Sequence, residues 1–315
     1  MIDTGGDRGQ GVGVAAPAPA KVNLSLTVLA RRPDGYHELD GVMARLTLCD
    51  EVACRERVEA LVGAGGGADA SQGEQVGDTL ERGADGGDPW LDAQPMSVDA
   101  SNLVLRAAQA YRIAAEAAGV RVPALRWRLT KRVPIAAGLG GGSSDAATAL
   151  GILAARYPAG LDLAALAAGL GSDVPFFVQT APAARARGRG ERLVAVDVPP
   201  QPLVLVNPGV AVSAADAYGW WSPRRSRVGA TAPWWHGPPI VNDLEAGVAE
   251  RVPVVGALLE RMRLLHDGPV AMSGSGATCF ALTRDARSAA ALVERLRSHL
   301  SEGTWIAATA LAQRS

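Results

Sequence analysis

Four glycines in the five residues Gly138-Leu139-Gly140-Gly141-Gly142, followed by Ser143-Ser144 and an alanine- and leucine-rich stretch, narrow the folds open to this chain more than any other feature. Main-chain amides come close to an anion only where no Cβ intervenes, and a helix start adds unpaired N–H groups and a partial positive charge. A loop this dense in glycine that feeds a helix directly reads as a phosphate cradle. It is not a Walker A loop, because no Lys-Ser/Thr pair follows, and it lacks the spacing of G-x-G-x-x-G. Asp145 stands where the second glycine of a G-x-S-x-G nucleophile elbow would be, which excludes that arrangement too.

The flanking segments supply a sheet and its helices. Val22, Leu24, Leu26 and Val28 alternate with Lys21, Asn23, Ser25 and Thr27, the period-2 pattern of a half-buried strand that sets Lys21 and Asn23 on one polar face. A Pro-Asp-Gly turn within Arg31 to His37 leads into a second alternating run, Val42 to Leu48. Ser101 or Asn102 caps a helix that stops at Gly119, and Leu125, Trp127 and Leu129 mark a third strand. A further helix is capped by Asp162. At 315 residues the chain is twice the roughly 150-residue prior for one domain, so two domains sharing a cleft are expected. The proline-rich run VDVPPQP at 196–202 sets the boundary, with a first domain over 16–197 and a second over 198–315. Residues 1–15 read as a disordered leader. Residues 63–96, with nine glycines, seven acids and one arginine, read as a solvent-exposed insertion. In the second domain, strands are expected at 203–206, 270–272, 278–282 and 304–311, with helices from Asn242, interrupted at Pro253, and over 285–300.

Thirty-one basic residues against 32 acidic ones leave a net charge of -1, too balanced for a nucleic-acid binder by bulk electrostatics. No apolar run approaches the length of a membrane span, and the amino end lacks a signal-like core, so the expectation is a cytoplasmic protein without membrane partners. Cys49, Cys54 and Cys279 form no CxxC pair and read as small apolar residues, and without HExxH or a His/Cys cluster no protein-held metal is expected. Only two lysines, Lys21 and Lys131, stand against 29 arginines, which singles both out as places where a compact charge on a flexible stem is needed. Asp173 precedes Val-Pro-Phe-Phe. It reads either as the cap of a short helix or as a carboxylate that Lys21 holds ionised in a dry cleft. Ser273-Gly274-Ser275-Gly276-Ala277 reads with equal weight as a tight turn or as a second phosphate-facing nest. Arg185, Arg187, Arg189 and Arg192 read as a solvated strand face. Trp220, Trp221, Trp234 and Trp235 cover either a cleft or a subunit interface.

Three motifs in order, Pro19-Ala20-Lys21-Val22-Asn23-Leu24, the run from Pro134 to Ala147 and Ser273 to Ala277, resemble those of the GHMP small-molecule kinases. RPDGYHEL at 32–39, GSDVPFF at 171–177, RGRGERL at 187–193, NPGV at 207–210 and NDLE at 242–245 extend the resemblance over nearly the whole chain from about residue 17. It implies an α+β fold with a ribosomal-S5-domain-2-like N-terminal domain and a ferredoxin-like C-terminal domain, with ATP and a small-molecule substrate meeting between them. The implied reaction moves the γ-phosphoryl group of ATP to an alcohol, here the 2-hydroxyl of a cytidylylated methylerythritol in the non-mevalonate isoprenoid pathway, with Mg²⁺ arriving on the ATP. Homoserine- or mevalonate-type kinases and a catalytically silent nucleotide-binding regulator remain the alternatives. By position, Asp173 matches the general base and Lys21 its catalytic partner. Pro134, Ile135, Ala136, Ala137, Gly138, Leu139, Gly140, Gly141, Gly142, Ser143 and Ser144 match the ATP-phosphate loop, and Asn102 and Leu103 the adenine side. Asn23 falls near the reacting centre, and Tyr36, His37 and Tyr218 match residues that hold the cytidine end. The resemblance is compatible with a monomer or a homodimer.

Overall fold

The computed structural model describes residues 13–57, 77–83, 88–223 and 232–314. Two long strands, β1 (Val14–Arg31) and β2 (His37–Glu56), pair antiparallel across the Pro-Asp-Gly turn and form the spine of a seven-stranded sheet. The far edge of β2 is divided between two partners. Its first half pairs with β5 (Ala183–Gly188), which carries β6 (Arg192–Ala195), and its second half with β4 (Leu125–Thr130). Helices α2 (Leu103–Ala117), α3 (Gly141–Arg156), α4 (Leu163–Ala168) and α5 (Val174–Val178) cover the sheet, burying Tyr111, Trp127, Leu150, Leu153 and Phe176 in one cluster. Each such side chain contributes roughly 1.5–3 kcal/mol by leaving water.

The second sheet contains β7 (Pro202–Asn207), β9 (Val270–Met272), β10 (Cys279–Leu282) and β11 (Trp305–Ala310), in spatial order β11-β7-β10-β9 and antiparallel throughout. Counted along the chain this is the order 4-1-3-2, with helices between the first and second strands and between the third and fourth. That is the ferredoxin-like arrangement. Helices α6 (Ala214–Gly219), α7 (Glu245–Arg251), α8 (Pro253–Leu265) and α9 (Ala286–Arg297) accompany it. The two sheets are joined in three ways. The short strand β8 (Val241–Asn242) returns to lie parallel beside β1, Leu46 bridges to Leu311, and Val22, Leu24, Leu203, Leu205 and Phe280 share a core cluster. The architecture is therefore α+β, as the motifs imply.

Two expectations need correction. Val14 and Ala15 do not belong to a disordered leader; they open β1, opposite Cys54 and Ala53. Pro17 and Pro19 hide this part of the strand from a period-2 reading, and a register shift between Pro19 and Lys21 accommodates them. Residues 1–12 lie outside the described residues. The insertion is likewise not all solvent-exposed. Its residues 63–76 and 84–87 lie outside the described residues, but β3 (Thr79–Arg82) pairs in parallel with β4, and α1 (Pro89–Asp92) is capped by Asp88. Leu80 and Leu91 are buried. Elements of four residues are too short to show a period, so acid and glycine content dominated the sequence signal. The arginine run is a solvated strand face, with Arg185 and Arg187 on Asp40 and Arg192 on Glu38.

Candidate functional site

Helix α3 begins at Gly141 after Gly140, whose φ of +68° is left-handed, and no side chain caps it. Its first in-ladder amide is that of Ser144, on Gly140 O, so the amides of Gly141, Gly142 and Ser143 stand outside the helical hydrogen-bond ladder. Glycine is required at two places for different reasons. At Gly138 (φ +77°) a Cβ would lie 2.2 Å from Ser273 O, and at Gly140 it would lie 3.0 Å from Lys21 Cγ. The loop thus packs bare backbone against β1 on one side and the Ser273–Gly276 turn on the other. That turn closes through Gly276 N on Ser273 O. Ser273 Oγ donates to Gly138 O at 3.0 Å and accepts from Asn23 N at 3.2 Å, so the turn braces the loop, while Gly274 and Ser275 line the cleft.

Lys21 is not on a solvated face. Only 4% of it is exposed, because its backbone N–H donates to Leu139 O and its stem packs under Gly140. Its Nζ donates to Asn23 Oδ1 at 2.5 Å and sits 3.4 Å from Asp173 Oδ2. Asp173 occupies the cap position of α5, yet its side chain makes no capping hydrogen bond; it faces Lys21 instead, with 32% of the side chain exposed. Arg45, on β2, fixes the short helix from the other end. Its guanidinium donates to Phe176 O at 2.9 Å and Phe177 O at 3.1 Å, and also to Gln179 O. The carboxylate, ammonium and glycine loop open together into a cleft of about 1090 Å³ between the two sheets.

The opposite end of the cleft is aromatic. His37 stacks on Tyr218 at 5.2 Å and meets Trp221 edge-on at 5.5 Å. Tyr36 is exposed, with Arg189 over its ring at 4.9 Å. Burial, reinforced by Arg31, pushes the His37 pKa down, leaving a neutral ring with one donor and one acceptor. Burial, and then the charge on Asp173, push the Tyr218 phenol up. Of the four tryptophans, Trp221 lines the cleft, whereas Trp235 is buried in the core shared by the two sheets. Asn102 and Leu103 stand away from this cavity. The Asn102 side chain caps α2 through Val104 N and donates to Ser97 O, while Leu103 approaches the far side of Gly142. Within the loop, Ala137 and Leu139 are buried, and their carbonyls accept from Thr278 N and Lys21 N. Ile135 N is taken by Gln94 Oε1.

Three supporting groups do not read as site residues from the sequence, and of their members only Lys131 is singled out, by the scarcity of lysine. Arg45 is one. Asn242 is another; it donates to Met272 O and Gly274 O and so holds the Ser-Gly turn, and the NDLE motif was its only trace. The third is a sealed cluster directly beneath Gly141. Lys131 Nζ bonds Asp50 Oδ2 and, at 2.9 Å, Asp145 Oδ2, while Asp50 Oδ1 accepts from Arg132 N and Val133 N. Burial works against charge on Lys131, but the two carboxyls outweigh it and raise its pKa. Burial also pushes the Asp145 carboxyl up, against the pull of Lys131.

The geometry is matched by sequence. Residues 102–180 match the GHMP kinases N terminal domain and residues 232–302 the GHMP kinases C terminal family. With the relatives described next, this settles the class: the chain belongs to the GHMP kinase family. A Deinococcus radiodurans protein named 4-diphosphocytidyl-2-C-methyl-D-erythritol kinase is 42% identical over 91% of this chain and 89% of its own length. A protein of that name from Rhodopseudomonas palustris is 36% identical over 92% and 95%. The crystal structure of a 4-(cytidine 5'-diphospho)-2C-methyl-D-erythritol kinase is similar with a TM-score of 0.72 at 35% identity, over 95% of this chain and all of that one. A homoserine kinase from Cytophaga hutchinsonii, at 16% identity and a TM-score of 0.62, shares the fold. No helix among the described residues is long and apolar enough to cross a membrane.

Proposed function

We propose that the chain is an ATP-dependent kinase that phosphorylates the 2-hydroxyl of 4-diphosphocytidyl-2-C-methyl-D-erythritol. The observation that carries this reading is the pairing of Lys21 with Asp173, 3.4 Å apart beside the glycine loop, in a chain 42% identical to a protein of that name. An alcohol is a poor nucleophile at neutral pH, so a carboxylate that takes its proton as the oxygen attacks the γ-phosphorus is useful, worth roughly 10²–10⁴ in rate. Asp173 serves as that base, with enough exposure to meet a substrate. Lys21 pairs with that carboxylate and places positive charge by the transferring group. Asn23 orients Lys21.

Phosphoryl transfer otherwise depends on positioning and on neutralising charge. The amides opening α3 and the loop from Pro134 to Ser144 would hold the phosphates of ATP, and Mg²⁺ carried in on the nucleotide would supply further positive charge there. Asn102 and Leu103, on the far side of the loop, belong to the adenine end, where the Asn102 side chain is already committed to the helix cap. The aromatic end of the cleft receives the cytidine. His37, held neutral, suits an uncharged base edge, with Tyr36 and Tyr218 supplying ring faces. A reaction fed by ATP suits the cytoplasm.

Incubation with ATP and the cytidylylated methylerythritol should yield ADP and a product heavier by one phosphoryl group, with a new phosphate ester on the tertiary oxygen at C2, a carbon that bears no proton, so the new phosphorus signal shows no three-bond proton coupling. Transfer to homoserine or mevalonate instead would redirect the substrate assignment within the family. ATP binding without transfer to any alcohol would favour a silent regulator.

A further inference from the structure

The loop that receives the nucleotide contains a residue whose backbone does not suit it. Ala136 has φ +52°, in the left-handed region that disfavours any side chain with a Cβ. Such a conformation persists only when its neighbours are pinned. On one side Ala137 O accepts from Thr278 N at 3.3 Å. On the other, Ile135 N donates to Gln94 Oε1 at 2.7 Å.

Gln94 lies near the end of the acidic insertion and is itself held firmly. Its own N–H donates to Leu91 O, and Arg82 donates to its carbonyl at 2.6 Å and also to Leu91 O at 2.5 Å. The same segment reaches the second sheet, where Trp90 Nε1 donates to Gly303 O at 2.7 Å and the indole stacks on Trp305 at 6.3 Å. Residues 88–96 therefore tie the entry of the glycine loop to both domains. Within this strap, Gln94 is the residue whose side chain reaches the loop backbone.

We infer that Gln94 is a positioning residue for the nucleotide half of the cleft: by accepting the Ile135 amide it holds the Ile135–Ala137 turn in the shape that aims the glycine loop at the phosphates. The inference rests on the kinase reading above. It concerns ATP only, because among the described residues Gln94 is hydrogen-bonded to Ile135 and to its own strap, and Lys21, Asp173 and the aromatic end of the cleft have other partners.

Two variants separate the acceptor from the bulk of the side chain. Gln94→Met fills a similar volume and cannot accept the bond; Gln94→Glu keeps an acceptor oxygen. The measurements are the Kd for ATP by calorimetry and the KM for ATP and for the alcohol in turnover. Losing one hydrogen bond of this kind corresponds to about 3- to 10-fold, so Gln94→Met should weaken ATP by that factor, leave the KM of the alcohol unchanged and lower kcat less than it raises KM for ATP. Gln94→Glu should recover most of the loss. Unchanged ATP affinity in Gln94→Met, equal weakening of both substrates, or a Gln94→Glu variant no better than Gln94→Met would each overturn the inference. An unmodified protein that fails to bind ATP would instead defeat the kinase reading itself.

Discussion

The chain's two lysines are buried against neighbouring glycines of its loop, one at the end of a side chain that meets the open cleft and one sealed away from it, and the contrast between them separates chemistry from architecture. Lys21 faces Asp173 across 3.4 Å, and Asp173 is open to the cleft. Lys131 is enclosed by Asp50 and Asp145, and all three are buried. An arginine would be a poor substitute in either place, since both ammonium groups lie close to glycines of the loop, Lys21 by Gly140 and Lys131 by Gly141. What differs is access. A carboxylate that a guest molecule can reach is able to exchange its partner during a reaction; one sealed under a helix can only hold the helix where it is.

The largest effect is expected at the sealed end. Lys131→Met leaves two carboxyls facing each other without their cation, and removing one member of a buried ionic group typically costs 3–5 kcal/mol. Urea unfolding should register a loss of about that size. A loss below about 1 kcal/mol would mean that Asp50 and Asp145 do not need the charge, and the contrast with Lys21 would fail.

At the open end the effect should fall on rate. Asp173→Asn is expected to lower kcat roughly 10²-fold or more, while costing no more than about 1 kcal/mol of stability, since the ion pair it breaks is partly solvated. Steady-state kinetics beside a thermal melt tests both halves. Near-normal turnover would remove Asp173 from the base's role. Lys21→Arg keeps the charge but forces a planar, larger group beneath Gly140, where overpacking costs about 1–3 kcal/mol. Turnover should drop about tenfold or more, because the larger group shifts the charge away from Asp173 and the transferring phosphoryl group, and full activity would show that charge alone suffices there.

This contrast also marks where the sequence was legible. Alternation announced the middle of β1 and put Lys21 and Asn23 on one face, and glycine density announced the loop, because both signals are local. The sheet order of the second domain followed only from the motif resemblance. Lys21 as a buried group was not legible from the strand alone: its burial comes from Leu139 and Gly140, far along the chain, closing over a face that reads as polar. Asp50 lies two residues past the alternating run that ends at Leu48 and had no pattern of its own; its value lies in accepting the amides of Arg132 and Val133. Asp173 resembled a helix cap and occupies the cap position, but no pattern within its own segment could show that its oxygen turns to a strand on the other side of the cleft. Gln94 lay in a stretch whose acids and glycines masked two short elements, so a residue that touches the loop sat inside what read as solvent-exposed chain.

The subtlest difference between the two clusters concerns protons. Burial raises the Asp145 carboxyl to about 7, with Lys131 pulling it down and Asp50 pushing it up. Its folded pKa therefore lies above the roughly 4 of a free carboxyl. Between those values the native protein holds a proton that the unfolded chain has lost, so stability falls as pH rises across that window and levels off above it. Asp145→Asn removes the titration while leaving Lys131 paired with Asp50. The stability of the unmodified protein relative to this variant should therefore decline from about pH 4 to about pH 7, read from urea unfolding of both proteins at steps of pH. Parallel curves would mean that Lys131 outweighs burial and keeps Asp145 ionised beneath the loop. A declining difference means that it is neutral there, which suits a scaffold placed directly under a cradle for anions.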